Sequence, residues 1–208
     1  MVKVQAPALS LDASGSLAGA LVFSKWKGRN YVRSLVKPAN PRSGGQVGTR
    51  SMFKFLAQKW AGVSEANQAT WETRADQKIV SEFNAYMGLN QFRWADFTAP
   101  SQHDPPAAVD TPATLGTLAA VAGVRSITIT QPITTAADGW GVAFFRSPTG
   151  TFDTAVDNLK HVGLIVATAD VVFVDSPLEA GTYYYDTREF TEDGQLSAES
   201  GEVDATVT

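Results

Sequence analysis

Between Thr98 and Pro112 the sequence reads TAPSQHDPPAAVDTP, and the hydrophobic period changes across it. Upstream, large apolar residues recur every three or four positions, the spacing of one helical face. Downstream they recur every second position, the spacing of a half-buried strand. The four prolines in this stretch lack backbone donors and fix φ, so neither pattern can run through it. The sequence therefore predicts a multi-domain chain: residues 1–98, a Pro-rich semi-rigid linker over 99–111, and residues 112–208. Charge divides the same way. Residues 1–98 hold 13 Lys and Arg against 6 Asp and Glu, and the remainder holds 4 against 15. A chain of 208 residues is long enough for two cores, and 44% hydrophobic with 18% charged residues is the composition of folded protein.

The first half reads as a small α+β domain, a β-hairpin plus three helices. After a loose N-terminal arm, Leu17 to Ser24 and Asn30 to Val36 are strand-like, with Lys27-Gly28 as the turn and Trp26 and Tyr31 beside it. Pro38, Pro41, Gly44 and Gly45 end the ladder. A helix follows over about Gln46–Ala61, with Met52, Phe53, Leu56 and Trp60 on one stripe and Gly62 as its stop. Ser64 is placed to cap a second helix carrying Glu65, Ala66, Trp71 and Ala75. A third spans about Val80–Phe97, its stripe formed by Phe83, Tyr86, Asn90, Trp94 and Phe97. Asn90 interrupts that apolar stripe and is read as a core amide bound to a chain end or neighbouring helix.

The second half reads as an all-β antiparallel sandwich. Ile127 and Ile129 alternate with polar residues, as do Trp140, Val142 and Phe144. Leu164–Ala167 and Val171–Val174 are short apolar runs, and Tyr183, Tyr185 and Thr187 share a face. Trp140 is expected at the centre of this core. The stretch FVDSPLEAGTYYYDTREFTEDGQLSAES, Phe173 to Ser200, resembles the end of a fibronectin type III domain, and the resemblance spans about Thr111–Thr208. It implies an immunoglobulin-like sandwich in which Tyr183 or Tyr184 hydrogen-bonds back at a strand corner. Glu189 departs from the family, which usually carries a small apolar residue there.

The first half is similar to a group of proteins from tailed bacteriophages and prophages. The resemblance rests on LVFSKWKGRNYVRSLVKPANP, QVGTRSMFKFLAQKW, SEANQATWETRA and SEFNAYMGLNQF. It implies a class, virion structural protein, and no individual functional residues.

Nothing in the sequence has the form of a catalytic site, so the expectation is a non-enzymatic protein with no cofactor and no metal. There are no cysteines for disulfides or thiolate sites. His103 and His161 lack the helical pairing of a zinc motif and read as surface residues. Gly44-Gly45-Gln46-Val47-Gly48 lacks the Gly-Lys-Ser/Thr of a phosphate loop, and no G-x-S-x-G elbow is present. Asp186, Glu189, Glu192, Asp193, Glu199 and Glu202 lack the order of a calcium loop and read as a solvated acidic face. The apolar run Leu17–Phe23 is too short to span a membrane and has no leader pattern before it, so a soluble protein without a membrane partner is expected.

The run from Lys25 to Arg50 carries seven Lys and Arg and no acid. Lys25, Trp26, Lys27, Arg29, Tyr31, Arg33, Lys37, Arg42 and Arg50 are the candidate partner-binding residues, cations for an acidic protein surface with aromatic anchors among them. Together with the phage resemblance, this gives a capsid decoration or cement protein on the particle surface. Its partner would be the major capsid protein or another virion protein, with self-association left open. A tail or neck component or a glycan-binding adhesin is the alternative. Nucleic-acid binding through the basic half is a lesser one, opposed by the acidity of the remainder.

Overall fold

The computed structural model describes residues 15–17, 19–26, 29–37, 43–135 and 139–208. The chain forms two compact units, residues 1–41 and residues 42–208. The fold is mixed α+β, with antiparallel sheets and short helices.

In the first unit, β1 (Gly15–Leu17), β2 (Leu21–Trp26) and β3 (Arg29–Ser34) form one antiparallel sheet in that order. The β2–β3 pair is the expected hairpin, with Phe23 opposite Val32 and Ser24 opposite Tyr31. The strand expected to run through Leu17–Ser24 reverses at Gly19 instead. There φ is +69°, a left-handed conformation that glycine adopts without steric cost, and β1 is the result. The arm before residue 15, the Lys27-Gly28 turn, Pro38 and Pro41 lie outside the described residues.

The second unit opens with α1 (Gly44–Trp60). The expected second helix is two pieces, α2 (Glu65–Ala69) and α3 (Glu72–Lys78). Between them the Thr70 hydroxyl donates to the Asn67 carbonyl at 2.6 Å, local bonding that competes with the helical ladder. The third expected helix is α4 (Glu82–Ala95). Ser64 caps α2 and Ser81 caps α4, each side-chain oxygen accepting a backbone N–H from three residues ahead at 3.3 Å.

Two larger sheets follow. One has the order β10 (Val171–Asp175), β6 (Ser126–Gln131), β5 (Ala119–Gly123). The other has the order β12 (Val203–Val207), β11 (Gly181–Thr191), β8 (Gly139–Ser147), β9 (Leu159–Leu164). The short strands β4 (Thr114–Leu115) and β7 (Ile133–Thr135) pair separately. Ile127, Ile129, Val142, Phe144, Tyr185 and Val207 fill the space between the two large sheets. The other face of the four-stranded sheet is equally buried, and what covers it is the helical layer. Met52, Phe55, Leu56, Trp71, Tyr86 and Trp94 share one core with Ala143, Phe145, Leu159 and Phe190.

That shared core corrects the expected division. Residues 99–111 do not separate the helices from the sandwich, and the boundary falls near residue 41. The physical reason is visible in β8, GWGVAFFRS, which is apolar at both strand parities and therefore needs cover on both faces. The Pro-rich stretch is a strap fastened to both layers. Asn90 is the core amide expected from sequence: it donates to the Ser101 carbonyl at 2.8 Å and accepts the Ser101 N–H at 2.9 Å. The Trp71 indole donates to the Gln102 carbonyl at 2.9 Å, and Arg74 pairs with Asp104 at 2.6 Å. On the sandwich side, Asp193 accepts the Asp110 N–H at 2.8 Å and also that of Val109, while Glu189 accepts the Ala113 N–H at 2.9 Å.

Trp140 belongs to the helix–sheet core, not to the space between the sheets. Gly141 lies opposite Phe190 and Gly139 opposite Thr191, so Trp140 is the extra residue of a bulge, and a bulge re-aims its side chain. Its indole meets the Phe55 ring edge-on at 5.2 Å. Gly141 makes room for that contact, since a Cβ there would lie 2.6 Å from the Phe55 ring.

Candidate docking face

The nine residues singled out from sequence are divided between the two units. Lys27 and Arg42 lie outside the described residues. Trp26 ends β2 opposite Arg29. Lys25 is exposed on β2, Arg29, Tyr31 and Arg33 are exposed on β3, and Lys37 is exposed beyond it. Arg50 is on α1, in the second unit.

Strand geometry sorts the ribbon residues into two faces, because directly opposed residues point to the same side. Arg33 with Val22, and Tyr31 with Ser24, share the side to which Arg29 also points by its spacing along β3. Phe23 with Val32, and Leu21 with Ser34, form the other side, to which Lys25 belongs. One face is thus two guanidinium groups bracketing a phenol at successive same-side positions, roughly 7 Å apart. Arginine presents a planar donor fork that matches a carboxylate, so this row suits an acidic surface. The opposite face is mixed and carries exposed apolar residues: Val32 is 53% and Leu21 39% exposed, and Tyr31 on the cationic side is 41% exposed. Sequence reasoning identified the cations and missed the exposed apolar residues opposite them, which only the register defines.

The six acids read as a solvated face divide in two. Glu192, Glu199 and Glu202 are exposed, whereas Asp186, Glu189 and Asp193 are buried, and each of these three accepts backbone N–H groups. Burial works against ionisation of Asp193, but hydrogen bonds from Thr191 and from the Asp110 and Val109 N–H groups outweigh it and hold its pKa below the ordinary value. Burial raises that of Asp186, partly offset by bonds from the Thr187 N–H and Ser200. The Arg188 partner, then the Thr154 hydroxyl, lowers that of Glu199. These carboxylates fasten strands and loops to one another. Among the described residues no cluster of His, Cys, Asp or Glu has the arrangement of a metal site.

His161, read from sequence as a surface residue, is half-buried. It stacks on Phe173 with centroids 4.9 Å apart and rings 12° from parallel. Burial, and secondarily Lys54, lower its pKa to about 4. His103 accepts the Ala107 N–H at 3.0 Å and helps to shape the strap. Folding also brings Arg146 and Lys160, which the sequence reading left aside, next to Arg50 in an open groove of about 480 Å³.

No family model matches the sequence, and no curated protein matches it. Solved structures with partial similarity include a β-1,2-glucanase from Parabacteroides distasonis, 21% identical with a TM-score of 0.38, over 49% of this chain and 14% of that one. A PKD domain of an M14-like peptidase from Thermoplasmatales archaeon SCGC AB-540-F20 is 14% identical with a TM-score of 0.33, over 48% of this chain and 98% of that one. The Clostridium perfringens spore cortex lytic enzyme SleM is 13% identical with a TM-score of 0.32, over 47% of this chain and 28% of that one.

Proposed function

We infer that the chain is a non-enzymatic structural protein of a tailed-phage particle, a capsid decoration or cement protein held by its N-terminal sheet. The observation that carries this reading is the sheet itself. It is a separate compact unit whose Arg29, Tyr31 and Arg33 row is exposed, in a segment with six Lys and Arg and one Asp, ahead of a unit with 11 Lys and Arg against 20 Asp and Glu. Three short strands with uncovered apolar residues gain stability from a partner surface. A protein that binds only the assembled shell stabilises that shell by mass action, without chemistry.

The second unit is read more finely as a fibronectin type III-like module. Support comes from the three-plus-four partition of its antiparallel strands and from Tyr183, whose hydroxyl donates to the Glu179 carbonyl four residues upstream at 3.2 Å. Of the two tyrosines weighed from sequence, Tyr183 makes that bond.

Co-sedimentation of the full chain with purified empty capsids tests the assignment. The native protein is expected to pellet with the shells and raise their resistance to heat, and the Arg29→Glu/Arg33→Glu variant to stay in the supernatant. Retention by DNA at moderate salt with none by shells would replace this reading with nucleic-acid binding. Adhesion to whole bacteria instead would replace it with a host-surface role.

A further inference from the structure

The two large sheets of the second unit meet at an open corner. Strand β10 ends the three-stranded sheet and β9 ends the four-stranded one, and among the described residues neither pairs with a strand on its outer side. For β9 the gap is closed by α1, which lies along it: the Ser51 hydroxyl accepts the Val162 N–H at 2.7 Å, and Gly48 brings the helix close enough that a Cβ would sit 3.1 Å from that of Leu159. Among the described residues no helix lies along β10 in this way, and its contacts toward β9 are His161 stacked on Phe173 and Val171 close against Gly163.

A trench results, with α1 as one wall, β9 as its floor and the 170–177 segment as the other wall. Val47, Arg50, Lys54 and Gln58 recur at helical spacing along the first wall, and Arg50 and Lys54 are exposed. Lys160 and Arg146 add charge at one end. Against these four cations stand Asp175 and Asp170. Asp175 is committed to Arg146 at 2.7 Å and to the Tyr185 hydroxyl at 3.1 Å. In a unit with nearly twice as many acids as bases, the trench is a cationic exception. The β10 wall also carries Val172 and Val174, 52% and 53% exposed.

We propose that this trench is a second docking site, which takes an extended acidic segment of a partner protein as an added strand on the free edge of β10. The backbone of the segment would pair with β10, its carboxylates would face Arg50, Lys54 and Lys160, and its apolar residues would pack beside Val172 and Val174. Edge strands are templates for such addition unless charge, proline or a covering element blocks them, and along Val171–Val174 β10 carries neither charge nor proline. Single-stranded nucleic acid fits less well. The aromatic ring lining the trench, Phe173, is already stacked on His161, which leaves no platform for a base. The site lies in the second unit and does not rest on the assignment of the ribbon to a capsid.

The test uses the full chain and a fluorescein-labelled eight-residue peptide of alternating Glu and Val. Saturable binding is expected by anisotropy, with slowed amide exchange at residues 171–175. The exposed-residue variant Arg50→Glu/Lys54→Glu should weaken binding at least about tenfold, the scale on which close charge pairs couple across interfaces. An alternating Lys and Val peptide, and a Glu and Val peptide interrupted by two prolines, should not bind. Absence of saturable binding, equal affinity in the charge-reversed variant, or equal binding of the proline-broken peptide would overturn the proposal. So would preferential binding of an oligothymidylate, or a concentration-dependent dimer that the peptide displaces, since each names a different occupant.

Discussion

In the second unit the strand β8 is covered twice, by the three-stranded sheet on one face and by the helices on the other, and Val142, Ala143, Phe144 and Phe145 are all inaccessible to solvent. In the first unit Val32 is 53% exposed, and Tyr31 and Leu21 are 41% and 39% exposed. An apolar strand face needs cover, and β8 receives it on both faces, whereas among the described residues Val32 and Leu21 of the first unit do not. The contrast separates a strand whose residues are explained by packing from a ribbon whose apolar and cationic residues are exposed.

The sharpest way to break the contrast is to remove a ring from the interface between helices and sheet. Phe55→Ala or Phe190→Ala should cost about 3–5 kcal/mol, the range for emptying a buried aromatic site. Helical and sheet signals should be lost together in one denaturant transition. Two separate transitions would mean that the layers fold independently and that the boundary belongs at the strap after all.

A smaller effect probes the strap. Asn90→Ala leaves the buried Ser101 N–H and carbonyl without the amide that satisfies both, a loss of about 2–3 kcal/mol. Protease cutting within residues 99–112 should become faster, whereas a passive linker would already be cut readily in the native protein.

His161 gives a pH signature of the double cover. Its imidazole is held neutral, with a pKa lowered from 6.5 to about 4. The unfolded chain takes up the proton first, so stability from this group is complete above pH 6.5, declines as the pH falls toward 4 and changes no further below it. Allowing for its partial exposure, the decline is on the order of 2 kcal/mol, and His161→Phe should remove that portion of the urea-midpoint profile.

The smallest stability change is expected in the ribbon. Arg29→Glu/Arg33→Glu should shift the unfolding free energy by less than about 0.5 kcal/mol, as exposed substitutions do, while abolishing retention on capsids. A large loss of stability would mean that these arginines are structural, and the contrast between the two regions would fail.

Local features were legible in the sequence. Ser64 announces a helix start, and Asn90 on an apolar stripe announces a satisfied amide. The layer arrangement was harder, because periodicity reports how many faces a segment buries and not what buries them. The signal lay in Ala143 and Phe145, which make β8 apolar on its second face. Composition misled at the strap, where prolines suggested a spacer although the surrounding backbone groups are held by Asn90, Asp193 and Glu189. The candidate site was legible as charge and not as geometry. Spacing along β3 places Arg29, Tyr31 and Arg33 together, but the exposed apolar residues opposite them depend on cross-strand register, and Arg50 could not be assigned to a separate body from its position alone.

Gly141 has a reach beyond its own strand. The hydrogen that stands in place of its side chain sets how near the Phe55 ring, and hence α1, can settle onto the sheet. A methyl group there would act as a shim, lifting the helix and parting the walls of the trench that α1 shares with β10. The width of that groove is thus set from the interior, at a position that does not line it.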